Sequence, residues 1–154
     1  MNISNISVDL LALILAMISG VFMAVQGSLN AALGKVVGVL ETTFIVHIVG
    51  TVILAVLLFV FKLGKGNMAA ISQAPWYTYL GGVVSVFIIY LVCASIPQVG
   101  VANATTAIIV GQVLTAVAID YFGAFGLKQM AWGWSQLAGV ALLAIGAKLL
   151  FRGV

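Results

Sequence analysis

The sequence predicts an all-α membrane protein of five transmembrane helices. Two features of composition carry that expectation. Hydrophobic residues make up 64% of the 154 positions and charged residues only 6%, with a mean hydropathy of +1.32. A soluble domain carries about 25% charged residues, so a chain this poor in charge has too little polar surface to stay dissolved alone. The third observation is spacing. Apolar runs of about 20 residues, the length that crosses a hydrocarbon core about 30 Å thick, alternate with short polar gaps. They fall at about 9–32, 42–61, 76–96, 102–121 and 134–151. Together these leave no room for a separate soluble domain, so residues 1–154 read as one membrane domain.

Each span has its own punctuation. The first opens at Asp9, where a carboxylate suits the positive end of a helix dipole. The stretch before it has no Lys or Arg and no convincing cleavage site, so the first helix reads as retained and not as a signal peptide. Gly34, Lys35 and Gly38 mark the first loop, and Glu41 stands where the second helix begins. The segment from Lys62 to Ala74 is polar. Pro75 then suits the first turn of helix 3. Trp76, Tyr77 and Tyr79 follow as an interfacial aromatic belt. Pro97 restricts the residue before it and is expected to end helix 3 near Ile96. That leaves a tight hairpin into helix 4. After the glycine-containing segment 122–133, Trp132 and Trp134 form a second belt. Lys148 and Arg152 snorkel from the end of helix 5.

Composition excludes several function classes. A formal charge of +3, scattered along the chain, supplies no basic stripe for nucleic acid. The lone Cys93 makes neither a disulfide frame nor a thiolate metal site. With one histidine and no paired carboxylates or phosphate-binding loop, the sequence gives no enzyme constellation, no metal site and no cofactor. The partners expected are lipid, a small solute and a second copy of the chain.

The second copy follows from charge. Cytoplasmic loops of membrane proteins carry an excess of Lys and Arg. Here Lys62, Lys65 and Lys128 fall on the side of the amino terminus, and Lys35, Lys148 and Arg152 on the other: three against three. No orientation is preferred, which predicts insertion both ways and an antiparallel homodimer with inverted halves. Transporters that build such symmetry place the solute site near the midplane. A chance balance among so few charges is the alternative.

Polar residues inside lipid need a partner, a cavity or a task. Gln26 and Asn30 are four apart on one face of helix 1, with Met23, Gly27 and Gly34 on or beside it. His47 and Thr51 repeat that spacing on helix 2. His47 is a candidate proton acceptor, or an imidazole bonding a neighbouring helix. On helix 4, Asn103 and Thr105 lie near the start, Gln112 at the centre and Asp120 near the end, with Thr105, Gln112 and Asp120 on one face. Gln26, Asn30, His47 and Gln112 are the candidate solute contacts; Thr51, Asn103, Thr105 and Asp120 are secondary candidates. A carboxylate near a helix carboxyl end calls for a specific partner, so Asp120 is also a candidate cap. Gly139 and Gly146, seven apart on helix 5, would let a second helix approach closely and are the candidate dimer contact, or else a packing contact within one copy.

These residues carry a resemblance. Gln26-Gly27-Ser28-Leu29-Asn30-Ala31-Ala32-Leu33-Gly34 resembles the first-helix signature of the YdcZ-like inner-membrane exporters. The match continues through Gly50-Thr51, Pro75-Trp76, Gly81-Gly82, Pro97, Gly100, Gly111-Gln112, Asp120 with Gly123 and Gly126, and the Gly139 to Gly146 helix. That family is similar to the drug/metabolite transporter superfamily, which includes the small multidrug resistance proteins. The resemblance implies a bacterial inner-membrane location, an antiparallel dimer or a fused or paired equivalent with inverted halves, and a role in moving small solutes; alternating access by a head-to-tail homodimer is the mechanism expected. One departure stands out. Small multidrug proteins rely on a glutamate deep in helix 1, whereas this chain offers only amides there. A small-ion channel and a non-transporting assembly subunit fit the same embedded polar residues.

Overall fold

The computed structural model describes residues 3–131 and 133–151, with side chains from residue 9 onward. The expectations for Trp132 and Arg152 therefore lie outside the described residues. The described chain is helical, with five α-helices: α1 (Ile3–Val37), α2 (Val39–Ala55), α3 (Leu80–Val99), α4 (Val101–Phe122) and α5 (Trp134–Leu150). Four segments have the length and apolarity to cross a bilayer: Asp9–Val37, Val39–Val60, Trp76–Val99 and Val101–Phe122. The fifth helix is apolar but has 17 residues, about 25 Å at 1.5 Å per residue, near the lower limit for a span.

The apolar side chains look outward. Leu13, Phe22 and Phe44 are each about two-thirds exposed, at 67%, 66% and 67%. The buried apolar residues are small or medium: Ala31, Cys93, Ile96, Ala104 and Ala147. In water this would be an unstable surface. In lipid it is the expected one, because the solvent is as apolar as the side chains and helices associate through close packing and polar links instead.

Several helix ends differ from the sequence reading. α1 begins at Ile3, so Asp9 stands in its second turn, past the first-turn region where the dipole acts. α1 also runs through Gly34 and Lys35 to Val37. The loop reduces to one residue, Gly38, at φ 102° and ψ 156°. The Gly38 amide still donates to the Gly34 carbonyl at 3.1 Å and the Gly38 carbonyl accepts from Thr42 at 3.0 Å, so the chain turns without losing either ladder. A second correction concerns Pro97, which lies inside α3. Proline removes one helical donor, and in the final turn of α3 the loss is a single bond. The residue that breaks the helix is Gly100, at φ 83° and ψ 161°. Both joints read Val-Gly-Val, Val37-Gly38-Val39 and Val99-Gly100-Val101. Both glycines occupy a backbone region that is essentially closed to other residues.

Packing divides the chain into two units, Met1–Pro97 and Gln98–Val154. In the first, α1 packs on α2. α1 also meets α3 through its small residues. A Cβ added at Gly27 would meet Val92 Cγ1 at 3.0 Å and Ile96 Cδ1 at 3.1 Å, and one at Gly34 would meet Cys93 Sγ at 2.6 Å. Gly27, Ala31 and Gly34 thus form the seam that admits α3. α2 ends in a π-helical turn, Val56–Val60. The polar segment that follows is short-turned: the Asn67 side chain accepts from the Ala69 amide at 3.0 Å to open the turn Met68–Gln73. The Tyr79 hydroxyl donates to the Ile71 carbonyl, tying this segment to the start of α3. Trp76 and Tyr79 are exposed here, as a headgroup belt requires.

In the second unit α4 packs on α5. α4 ends at Gly123, in the left-handed conformation at φ 59°. The extended segment after it folds back: Met130 donates to the Asp120 carbonyl at 2.9 Å and Gln129 Nε2 to the Tyr121 carbonyl at 2.8 Å. Gln136 Oε1 accepts from the Gly133 amide at 3.1 Å and so closes the first turn of α5.

Candidate functional site

The polar face of α1 is the most developed feature of the first unit. Ser19, Phe22, Met23, Gln26 and Asn30 recur at helical spacing and, with Val25 and Leu29, line an open depression of about 420 Å³. The depression is open and formed by α1 alone. The lining mixes aromatic and thioether surface with a hydroxyl and two amides, and holds no charge. Gln26 is exposed to the depression, while Asn30 is buried at its inner end, 6% exposed. Sequence spacing placed these two amides on one face, and the structure gives that face a concave surface.

Behind Asn30 lies a polar knot where α1, α2 and α3 meet. The Cys93 thiol donates to the Asn30 carbonyl at 3.1 Å. Thr43 is buried and donates from its hydroxyl to the Val39 carbonyl at 2.9 Å. Thr42 is fully buried, and its hydroxyl finds no hydrogen-bond partner among the described residues. Its Oγ1 would lie 3.7 Å from a Cβ at Gly34. Glu41 curls back over Gly38, its Oε2 occupying the place where a Cβ would go.

One turn further along α2, His47 is half-buried and bonded at both ring nitrogens. Nδ1 lies 2.7 Å from the Thr43 carbonyl. Nε2 lies 3.0 Å from Ser85 Oγ on α3, and that hydroxyl is 2.8 Å from the Gly82 carbonyl. The histidine therefore links two helices, as one of its sequence readings expected. Thr51, four residues on, is exposed.

The second unit holds the remaining candidates on α4. Asn103 is half-buried and donates from Nδ2 to the Val99 carbonyl at 3.0 Å. Thr105 is half-buried, and Gln112 is exposed at mid-helix. The Asp120 side chain is exposed, and the backbone of Asp120, not its carboxylate, takes the loop amides, Gly123 at 3.4 Å and Met130 at 2.9 Å. The loop at this helix end is held by the Asp120 carbonyl and not by the carboxylate the sequence pointed to. On α5, a Cβ added at Gly139 or Gly146 would meet nothing within 4 Å among the described residues.

Sequence reasoning missed Ser85, Thr42, Thr43 and the Asn30–Cys93 bond. Ser85 carries a faint signal, being the one polar residue between Tyr79 and Tyr90. Its partner is 38 residues away, and nothing local announces that pairing.

Four apolar helices of membrane-crossing length among the described residues define a multi-pass α-helical membrane protein. The comparisons with known proteins agree. The family described as "Putative inner membrane exporter, YdcZ" matches residues 11–149. The chain belongs to that family. It is similar to the "Inner membrane protein YdcZ" of Escherichia coli (strain K12), 22% identical over 135 residues, which are 87% of this chain and 90% of that protein. No solved structure matches the chain.

Proposed function

We propose that this protein is a small-solute transporter working by alternating access as an antiparallel homodimer, with α5 as its fifth membrane crossing. The observation that carries the reading is the amide-lined depression on α1. Gln26 and Asn30 bring donors and acceptors without charge to an apolar, aromatic surface. Such a lining suits a neutral or weakly polar solute with an apolar body, because an uncompensated charge in lipid is costly. The family supports transport as the task and the inner membrane as its place. The open glycines of α5 support a second copy as partner, since small residues let helices approach closely. Gln112, in the second unit, is proposed as a solute contact in its own right, with Thr51, Asn103, Thr105 and Asp120 secondary to it. His47 is treated separately, because the protein already engages both of its ring nitrogens.

The test has two stages. Solutes that raise the unfolding temperature of the purified protein are selected, since a ligand stabilises the state it binds. Their flux is then measured in proteoliposomes. The expected result is slow, saturable movement that falls at least about tenfold in Gln26→Ala or Asn30→Ala, the cost of a polar solute group left unpaired. Full flux in both variants would remove the depression from the transport path. Flux at channel rates would favour conduction, and a protein no solute stabilises or crosses would favour an assembly subunit.

A further inference from the structure

Three oxygens beside His47 restrict where protons can sit: the Thr43 carbonyl, the Ser85 hydroxyl and the Gly82 carbonyl. The Thr43 carbonyl only accepts, so Nδ1, 2.7 Å away, carries a hydrogen in every state of this arrangement. Ser85 has one hydroxyl proton and two neighbours that can take it, His47 Nε2 at 3.0 Å and the Gly82 carbonyl at 2.8 Å. If the hydroxyl points at Nε2, the imidazole is neutral and accepts. If it points at the Gly82 carbonyl, Ser85 Oγ presents lone pairs to Nε2, which is satisfied only when Nε2 also bears a hydrogen. The two states differ by one proton on Nε2 and one rotation of an O–H bond. No heavy atom has to move, and neither state leaves a ring nitrogen unpaired.

We propose that His47, joined to Ser85 across α2 and α3, is a reversible proton-binding site, and that the proton is the coupling ion of transport. A proton taken up on Nε2 turns the Ser85 hydroxyl to the Gly82 carbonyl, and the reverse releases it. The second clause rests on the transport reading above; the first does not.

Within the first unit, His47 is the group placed for this task. On α1 no charged residue lies between Asp9 and Lys35. On α3 the titratable groups are Tyr90 and Cys93, and the thiol is spent on the Asn30 carbonyl. On α2 the other titratable group is Glu41, six residues earlier and folded over Gly38.

His47 is the single histidine, so ¹⁵N-labelled histidine in lipid nanodiscs gives an unambiguous spectrum. The expected result is conversion from the form protonated at Nδ1 alone to the doubly protonated ring as the pH is lowered. Ser85→Ala removes the group that adapts to the proton and should require about tenfold more acid for half-conversion, the worth of a hydrogen bond to a charged donor. A ring that stays in one form throughout, or a titration unmoved by Ser85→Ala, overturns the site. For the coupling, a pH gradient across the proteoliposomes should drive accumulation of a solute found in the panel above. His47→Gln should abolish that gradient dependence. Wild-type flux indifferent to the gradient, or gradient-driven accumulation kept by His47→Gln, overturns the coupling. If the wild type moves no solute, the transport reading and the coupling built on it fail, while the titration still decides the site.

Discussion

Gly34 and Cys93 show how closely this fold depends on single atoms. The seam of Gly27, Ala31 and Gly34 was visible in the sequence only as a scatter of small residues beside the Gln26 and Asn30 face. What it admits, the Cys93 side chain of α3, lies some sixty residues away and was not. A methyl group at Gly34 would sit 2.6 Å from the Cys93 sulfur. The thiol could rotate aside only by giving up its bond to the Asn30 carbonyl. Gly34→Ala is therefore expected to destabilise the protein by about 1–3 kcal/mol, the usual cost of overpacking. Adding Cys93→Ala to the same chain should recover most of that loss, because the two positions are in contact and couple. Thermal unfolding in detergent of the two single variants and the double variant measures the coupling. Purely additive losses would show that α1 and α3 do not meet there. The polar site follows the same logic. Spacing along one helix revealed Gln26 with Asn30, whereas the pairing of His47 with Ser85 depends on two helices touching and leaves no periodic trace.

At the scale of elements, apolar runs locate helices well and locate their ends poorly. Hydropathy is a sum over about 20 residues, so the body of each span was plain. An end is decided by one residue's backbone. Gly34 and Lys35 suggested a loop, but neither leaves the helical conformation, and Gly38 alone makes the turn. Pro97 suggested a stop, but a proline in a last turn forfeits one hydrogen bond, and Gly100 makes the break three residues later. This assigns the work to two glycines at positive φ. Gly38→Ala and Gly100→Ala should each cost about 1–3 kcal/mol through backbone strain. At Gly100 nothing lies within 4 Å of the added methyl, so strain is the whole effect; at Gly38 the flexible Glu41 must also move. Unfolding temperatures of the two variants unchanged from wild type would mean that these joints tolerate ordinary backbone and do not fix the helix turns.

For the whole molecule, the membrane explains why a chain of 154 residues with so small a buried core folds at all. Lipid covers the exposed leucines and phenylalanines, and the few polar links hold helices in register. The same small number of charges leaves orientation undecided, three basic residues against three. The antiparallel pair proposed above requires copies inserted both ways. The most direct measurement of that claim is topology in intact cells. Asn67→Cys places a thiol in the exposed turn between α2 and α3, and the native Cys93 is fully buried and so does not react. A membrane-impermeant maleimide applied from outside should label about half of the molecules, with the rest labelled only after permeabilisation, as expected when flanking Lys and Arg give no bias. Labelling of all molecules, or of none, before permeabilisation would show a single orientation and contradict the antiparallel pair.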